Sequence, residues 1–135
     1  PTDRFNFWPK LSLYRCDSGV FQIGISTFFK RPFRLANMER HFKTEEFMTP
    51  LTGQIIIVFA PNKVVDGKDQ PDFEKAEAFL INQTQSVVVG KNVWHWTPMP
   101  LQNEVSIICS FAEDTQKNDL DVQALPAGNV VQVTL

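Results

Sequence analysis

Cysteine is scarce in this chain, with two residues among 135. Two cysteines do not make the disulfide framework of a small secreted domain, so we expect a reducing compartment, the cytoplasm. Cys109 lies in an apolar run, which predicts a buried core thiol rather than a reactive one.

Charge of one sign and long apolar runs are also missing. The chain has 13 basic and 15 acidic residues, a net charge of −2. This balance argues against nucleic acid or an anionic membrane as a partner. No apolar run approaches the roughly 18 residues of a transmembrane helix, and no signal peptide pattern is visible. We therefore expect neither nucleic acid nor a membrane as a partner.

Aromatic residues, by contrast, are abundant. The sequence contains 12 Phe and three Trp, and 43% of its residues are hydrophobic. That content is sufficient for one buried core, so we expect residues 1–135 to form a single domain. The aromatic side chains predict a packed barrel interior or an aromatic-rich interface.

Short β segments dominate the hydrophobic pattern. Nine strands are predicted, at 20–29, 34–42, 47–51, 54–59, 76–81, 86–89, 93–96, 103–111 and 129–135. The segment 62–72 is expected to be an exposed connection and 114–121 a polar loop. Strands at this spacing, with turn signals between them and little or no helix, predict an all-β sandwich or barrel.

Each of the two histidines lies at the entrance of a predicted strand. His41, followed by Glu46 and then Gly53, has the spacing of the first half of a cupin motif. The segment Gly90-x-Asn92-x-x-His95 resembles the second half, and Asn92 is the residue type that best replaces glycine at positive φ. The resemblance implies a single-domain cupin-like β-barrel, or jelly roll, with the motif side chains facing inward.

A longer set of residues is similar to the ureidoglycolate lyase family. These residues are Glu39-Arg40-His41, Phe47, Pro50, Val58-Phe59-Ala60-Pro61, Gln70-Pro71-Asp72, Ala78-Phe79-Leu80 and Asn92-Val93-Trp94-His95. The resemblance runs from about Ile23 to Pro126. It implies an enzyme of purine (allantoin) catabolism, commonly a homodimer, that cleaves ureidoglycolate to glyoxylate and urea.

This reaction requires a base for the hydroxyl proton, an acid for the leaving nitrogen and a cation for the substrate carboxylate. His95 is the predicted base, because an imidazole titrates near neutral pH. Either Glu45 or Glu46 could serve as the acid if burial raises its pKa. The predicted site is therefore His41, Glu45, Glu46 and His95 for catalysis, with Arg40 or Lys91 for the anionic substrate.

Strand alternation adds a constraint on this site. Glu39 and His41 share one face of their strand, so Arg40 should point the other way unless the strand bulges. By the same rule Trp94 and Trp96 lie opposite His95, and we expect them to pack on the outside of the barrel.

Two alternatives remain open. Gly90, Glu45 and Trp96 occupy positions where the family usually has His, Gln and His, which favours a non-catalytic or repurposed cupin that binds a small anion or sugar acid. A metal-dependent cupin oxygenase or isomerase is the other alternative, with His41, Glu46 and His95 holding Fe(II) or another divalent ion. The lyase interpretation itself expects no cofactor.

Overall fold

The computed structural model describes residues 12–126 and 130–134, and strands make up most of them. The strands are β1 Phe21–Phe29, β2 Arg34–Leu35, β3 Asn37–Arg40, β4 Glu46–Pro50, β5 Ile55–Ala60, β6 Asn62–Val65, β7 Lys68–Pro71, β8 Glu77–Ile81, β9 Val87–Val89, β10 Trp94–His95, β11 Met99–Pro100, β12 Glu104–Ala112, β13 Asp121–Ala124 and β14 Val131–Gln132. A 3₁₀ turn, Phe73–Lys75, and one α-helical turn, α1 Thr115–Asn118, are the helical elements of the described part.

Two antiparallel sheets form the body of the domain. One has four strands in the order β1-β12-β4-β9. The other has the order β11-β5-β10-β3-β13, with β8 also paired to β5. Short two-stranded ladders, β6–β7 and β14–β2, complete the fold. The predicted all-β, cupin-like class is confirmed.

The six-stranded sheet is covered on both faces. On the face toward the other sheet, Ile55 and Ile57 pack with Met48 and Ile107. On the opposite face, the alternate residues of β5 belong to a second cluster around the fully buried Trp94. This double coverage explains why β5 is apolar without alternation. It also places Trp94 outside the space between the sheets, as predicted.

Several predicted segments are more regular than expected. The predicted connection 62–72 is largely the β6–β7 hairpin, because Asp66 and Gly67 adopt the positive φ values, 51° and 75°, that a two-residue turn requires. The predicted polar loop 114–121 contains α1 and leads into β13, which pairs with β3. Of the predicted strand 129–135, β14 is present, whereas residues 129 and 135 lie outside the described part.

The ends of the strands also differ from those predicted, because they are set by the partner strands. The predicted run 34–42 divides into β2 and β3, each of which pairs with a different partner strand. The fourteen strands of the described residues thus exceed the nine predicted, since short strands depend on partners distant in sequence. No helix in the described ranges is long and apolar enough to cross a membrane.

Candidate active site

A pocket of about 320 Å³ lies between the two sheets. Its apolar lining comes mainly from β1, β4 and β12 and from the segment after β10. The polar side chains around it are Ser26, Glu39, Glu46, His95, Thr97 and Gln116. Two carboxylates and an imidazole in a largely apolar cavity form the kind of site at which pKa values are shifted for catalysis.

The register between β3 and β10 brings Glu39 and His95 together. His95 on β10 lies directly opposite Glu39 on β3, and its other neighbour in the sheet is Phe59 on β5. His95 Nε2 is 3.9 Å from Glu39 Oε1. The side chain of His95 is 2% exposed and that of Glu39 is 20% exposed, so this pair is screened weakly by solvent.

Glu46 links the two histidines through a single oxygen. Its Oε2 lies 3.1 Å from Nε2 of His95 and 3.5 Å from Nε2 of His41. The two imidazole rings are in edge contact, with centroids 5.2 Å apart. Residues from β4, β10 and the end of β3 therefore converge on one buried carboxylate.

Backbone carbonyls fix the orientation of both imidazoles. His41 Nδ1 donates to the carbonyl of Asp119 at 2.7 Å, and His95 Nδ1 donates to that of Val93 at 3.0 Å. Because Nδ1 of each ring carries the proton donated to a carbonyl, Nε2 can donate a hydrogen bond to Glu46 only when the ring is doubly protonated, as an imidazolium.

The two inward carboxylates have pKa values shifted in opposite directions. Burial by itself would raise the pKa of Glu46, but hydrogen bonds from His41 and His95 outweigh it and lower the pKa to about 2. Burial raises the pKa of Glu39 against the opposing attraction of the histidines. For His41, burial is outweighed by the hydrogen bond to Glu46, so its pKa is raised. The sequence-based condition for Glu46 as an acid, a raised pKa, is not met.

The same residues could hold a divalent cation. Ligand atoms of Glu39, His41 and His95 lie within 4.8 Å of one another. Nε2 atoms facing inward, with Nδ1–H held by carbonyls, are the arrangement found in metal-binding histidines. Two imidazoles and a carboxylate suit Fe(II) and neighbouring divalent ions. The donor set therefore fits a metal, with Glu39 as its carboxylate where the sequence analysis expected Glu46.

Arg40 does not enter this pocket. Its guanidinium lies on the opposite face of β3, where it pairs with Asp121 at 2.8 Å and Asp69 at 3.0 Å. It also covers the rings of Trp94 and Phe42 at 4.4 and 4.6 Å. The alternation argument for Arg40 is confirmed, and its contacts connect β3 to β13 and to the β6–β7 hairpin.

Glu45 and Lys91 also lie away from the pocket lining. The Glu45 carboxylate accepts the backbone N–H of Arg15 at 2.6 Å, and adjacent Glu46 faces the other way into the pocket. The Lys91 ammonium pairs with Asp17. The structure therefore brings together His41, Glu46 and His95 from the predicted site, but not Glu45, Arg40 or Lys91.

Two turns hold the motif halves in place. Asn92 has a φ of 64°, as predicted, and its N–H donates to the carbonyl of His41 at 2.8 Å. Gly53 has a φ of 63°, and a Cβ there would lie 2.9 Å from Val105 Cγ2. The first contact joins the segment before His95 directly to His41.

Sequence reasoning missed several lining residues. Glu39 had a usable signal, because it alternates with His41 on one strand face. Ser26, Thr97 and Gln116 had none, since ordinary polar residues in a strand or loop carry no pattern that separates a pocket from the surface. Their place follows only from the packing of the two sheets.

Together, the two sheets and the inward histidine–glutamate cluster define a cupin-like domain with a small, largely apolar pocket that carries a few titratable side chains. The family model described as ureidoglycolate lyase matches residues 7–133. The chain belongs to the ureidoglycolate lyase family.

Individual relatives are distant. A ureidoglycolate lyase of Escherichia coli is 34% identical over 64 residues, which cover 47% of this chain and 38% of that protein. A ureidoglycolate lyase of Salmonella paratyphi B is 23% identical over 124 residues, 92% of this chain and 74% of that protein.

Solved structures of sugar-modifying enzymes share the fold. The rmlC epimerase of Mycobacterium tuberculosis has a TM-score of 0.55 at 15% identity, covering 84% of this chain and 54% of that chain. A 3,4-ketoisomerase from Thermoanaerobacterium thermosaccharolyticum has a TM-score of 0.53 at 14% identity, covering 74% and 64%. The matched region is thus less than two thirds of each of these structures, and the likeness is one of fold.

Proposed function

We propose that this protein is a lyase that cleaves ureidoglycolate, or a closely related hydroxy-carboxylate amide, to glyoxylate and urea. The observation that carries the proposal is the cluster of Glu39, Glu46 and His95 in one pocket between the sheets. Two carboxylates with pKa values shifted apart, next to an imidazole, can divide acid and base roles. Family membership supports the same reaction class.

In the proposed mechanism Glu39 is the base and His95 the acid. Glu39 takes the proton of the substrate hydroxyl, and a raised pKa makes its carboxylate the stronger base. The C–N bond breaks as the hydroxyl becomes the glyoxylate carbonyl, and the imidazolium of His95 protonates the departing urea nitrogen. The proton then returns from Glu39 to His95 through one water molecule, because the 3.9 Å between the two groups is too long for direct transfer.

These roles reverse the sequence-based assignment of His95 as the base. The reason is geometric: the carbonyl of Val93 accepts from His95 Nδ1, and His95 Nε2 lies 3.1 Å from the carboxylate oxygen Oε2 of Glu46, which can only accept a hydrogen bond when Glu46 is ionised. Glu46 stays ionised and stabilises the imidazolium. His41 contacts the same oxygen and holds Glu46 in position, so we assign it a positioning role.

The experiment is an assay of glyoxylate and urea release from racemic ureidoglycolate by metal-stripped protein. Release from one enantiomer without metal supports the acid–base proposal. If His95→Gln turns over as fast as the unmodified protein, His95 is not the acid. If neither product appears with or without added metal, the lyase proposal fails, and the repurposed cupin that binds a small anion becomes the better interpretation.

A metal-dependent reaction is the second candidate. It is favoured by one observation, the convergence of ligand atoms of Glu39, His41 and His95 within 4.8 Å. A bound divalent ion would supply Lewis-acid chemistry and a positive charge for the substrate. Adding Mn²⁺, Fe²⁺, Ni²⁺ or Zn²⁺ singly to stripped protein tests it, because activity that appears only with metal moves these residues from proton transfer to ligation.

We also propose that the protein forms a homodimer. We further propose that it acts in the reducing cytoplasm, in purine (allantoin) catabolism. Alternate residues of β1, namely Phe21, Ile23, Ile25 and Phe29, are 39–76% exposed. They form an uncharged apolar row on an edge strand of the four-stranded sheet, the kind of surface that a partner covers in a protein–protein interface. A second copy related by a two-fold axis would cover it. Analytical ultracentrifugation of the Ile25→Lys variant tests this interface, and we expect the variant to sediment as a monomer. If the variant remains a dimer, this face is not the interface.

A further inference from the structure

Among the described residues, 12–126 and 130–134, no lysine or arginine lines the pocket. The titratable side chains of this lining include Glu39, Glu46 and His95, so a substrate carboxylate would enter beside two glutamates. Arg40 and Lys91, the cations expected from the sequence, are engaged elsewhere. Binding a small carboxylate next to two others requires a positive charge from another part of the structure.

Arg31 carries a positive charge next to the wall segment Thr97–Pro98, although it is not itself among the lining residues. It follows β1, which contributes Ser26 and Phe28 to the lining. Its Nη2 donates to the carbonyl of Thr97 at 2.7 Å, to Thr97 Oγ1 at 3.0 Å and to the carbonyl of Pro98 at 3.5 Å. Both Thr97 and Pro98 line the pocket. One nitrogen of the guanidinium is therefore anchored to the pocket wall.

The rest of this guanidinium has no protein partner within residues 12–126 and 130–134. No aspartate or glutamate of this part forms an ion pair with Arg31, and its Nε and Nη1 make no hydrogen bond there. Burial lowers the pKa of Arg31, although an arginine remains charged at any ordinary pH. A half-buried arginine that is held by neutral acceptors keeps its charge available for a ligand.

We propose that Arg31 binds the carboxylate of the substrate at the Thr97–Pro98 end of the pocket. The inference rests on the proposed lyase function and assigns to Arg31 the role that the sequence suggested for Arg40 or Lys91. The substrate carboxylate then lies at the Arg31 end, and its hydroxyl and urea nitrogen lie toward Glu39 and His95. Arg31 thereby orients the substrate and offsets the repulsion from Glu46.

The test is a binding comparison with two probes that differ only in charge. Hydantoate (N-carbamoylglycine) carries the carboxylate and urea groups of ureidoglycolate but cannot be cleaved by this route, and its primary amide is neutral. Calorimetry on the full chain compares the unmodified protein with Arg31→Gln. Arg34→Gln is the control, because it removes the same charge from an exposed position on β2.

The expected result is hydantoate binding weakened about tenfold or more in Arg31→Gln, with binding of the amide and the behaviour of Arg34→Gln unchanged. Equal weakening of both probes would mean that Arg31 only supports the Thr97–Pro98 segment, and this overturns the inference. If Arg31→Gln does not fold, Arg31→Met replaces it, because it removes the charge and keeps an apolar side chain of similar length, and a loss confined to hydantoate is again required.

The failure of the two proposals can be told apart. Unchanged hydantoate binding by Arg31→Gln, in a protein that releases glyoxylate, overturns the role of Arg31 and leaves the lyase function intact. Unmodified protein that neither releases glyoxylate nor binds hydantoate overturns the lyase function and the role of Arg31 with it.

Discussion

Glu39 and His95 stand directly opposite each other on neighbouring strands, with both side chains directed into the pocket between the sheets. Their relationship is set by the pairing of β3 with β10, not by local sequence. Because the strands fix the backbone positions of both residues, the distance between carboxylate and imidazole varies little, as proton transfer requires.

Replacing Glu39 with Gln should lower kcat by about 10²–10⁴-fold, because the amide cannot accept the hydroxyl proton. KM should change little, and the protein should remain folded, since the substitution removes a buried charge rather than a packing group. Steady-state kinetics and thermal unfolding measure both. Glu45→Gln, on the neighbouring surface, is the matched control and should keep normal activity. A kcat for Glu39→Gln within threefold of normal contradicts the assignment.

The pH dependence of stability should reveal the ionised Glu46. Its pKa is lowered from 4.5 to about 2 in the folded state, so its stabilising contribution is complete above pH 4.5 and is lost as the pH falls toward 2. The full contribution is on the order of 3 kcal/mol. Urea unfolding of metal-stripped protein and of Glu46→Gln should therefore give a difference that shrinks between pH 5 and 2. A difference that stays constant over this range would count against the ion pair.

Arg40→Ala should reduce the free energy of unfolding by about 1–3 kcal/mol, mainly because it removes a buried side chain that covers Trp94, whereas the carboxylates of Asp121 and Asp69 that it leaves behind are partly exposed to solvent. Lys91→Ala should cost less than about 1 kcal/mol, as expected for an exposed ion pair with Asp17. Chemical denaturation measures both. If Arg40→Ala instead keeps its stability and loses substrate affinity, Arg40 contacts the substrate.

Gly53→Ala should destabilise the fold by about 1–3 kcal/mol. The residue has a φ of 63°, and an added Cβ would lie 2.5 Å from Gln102 Oε1 and 2.9 Å from Val105 Cγ2, so the methyl group is both strained and crowded. Gly19→Ala is the control, because it has a φ of 72° but no atom within 4 Å of the added Cβ, and it should cost less. Equal losses at the two positions would show that crowding by Gln102 and Val105 contributes nothing.

The amino-acid sequence by itself determined the fold class and half of the site. Alternating short apolar runs required an all-β domain, and the spacing of His41, Glu46 and His95 identified three groups that do converge. Alternation also placed Arg40 on the opposite face, and Asn92 was recognised as a residue for positive φ. These features are local, because they depend on side-chain type and on the two-residue period of a strand.

Tertiary structure decided the chemistry. Glu39 became a pocket residue only through its register with His95, and Glu46 acquired its low pKa only because two imidazoles meet at one of its oxygens. Arg31 reached the pocket wall through contacts with Thr97 and Pro98, far along the chain. Short strands and pKa values both depend on partners distant in sequence, and the hydrophobic pattern specifies which face is buried but not which residues meet there.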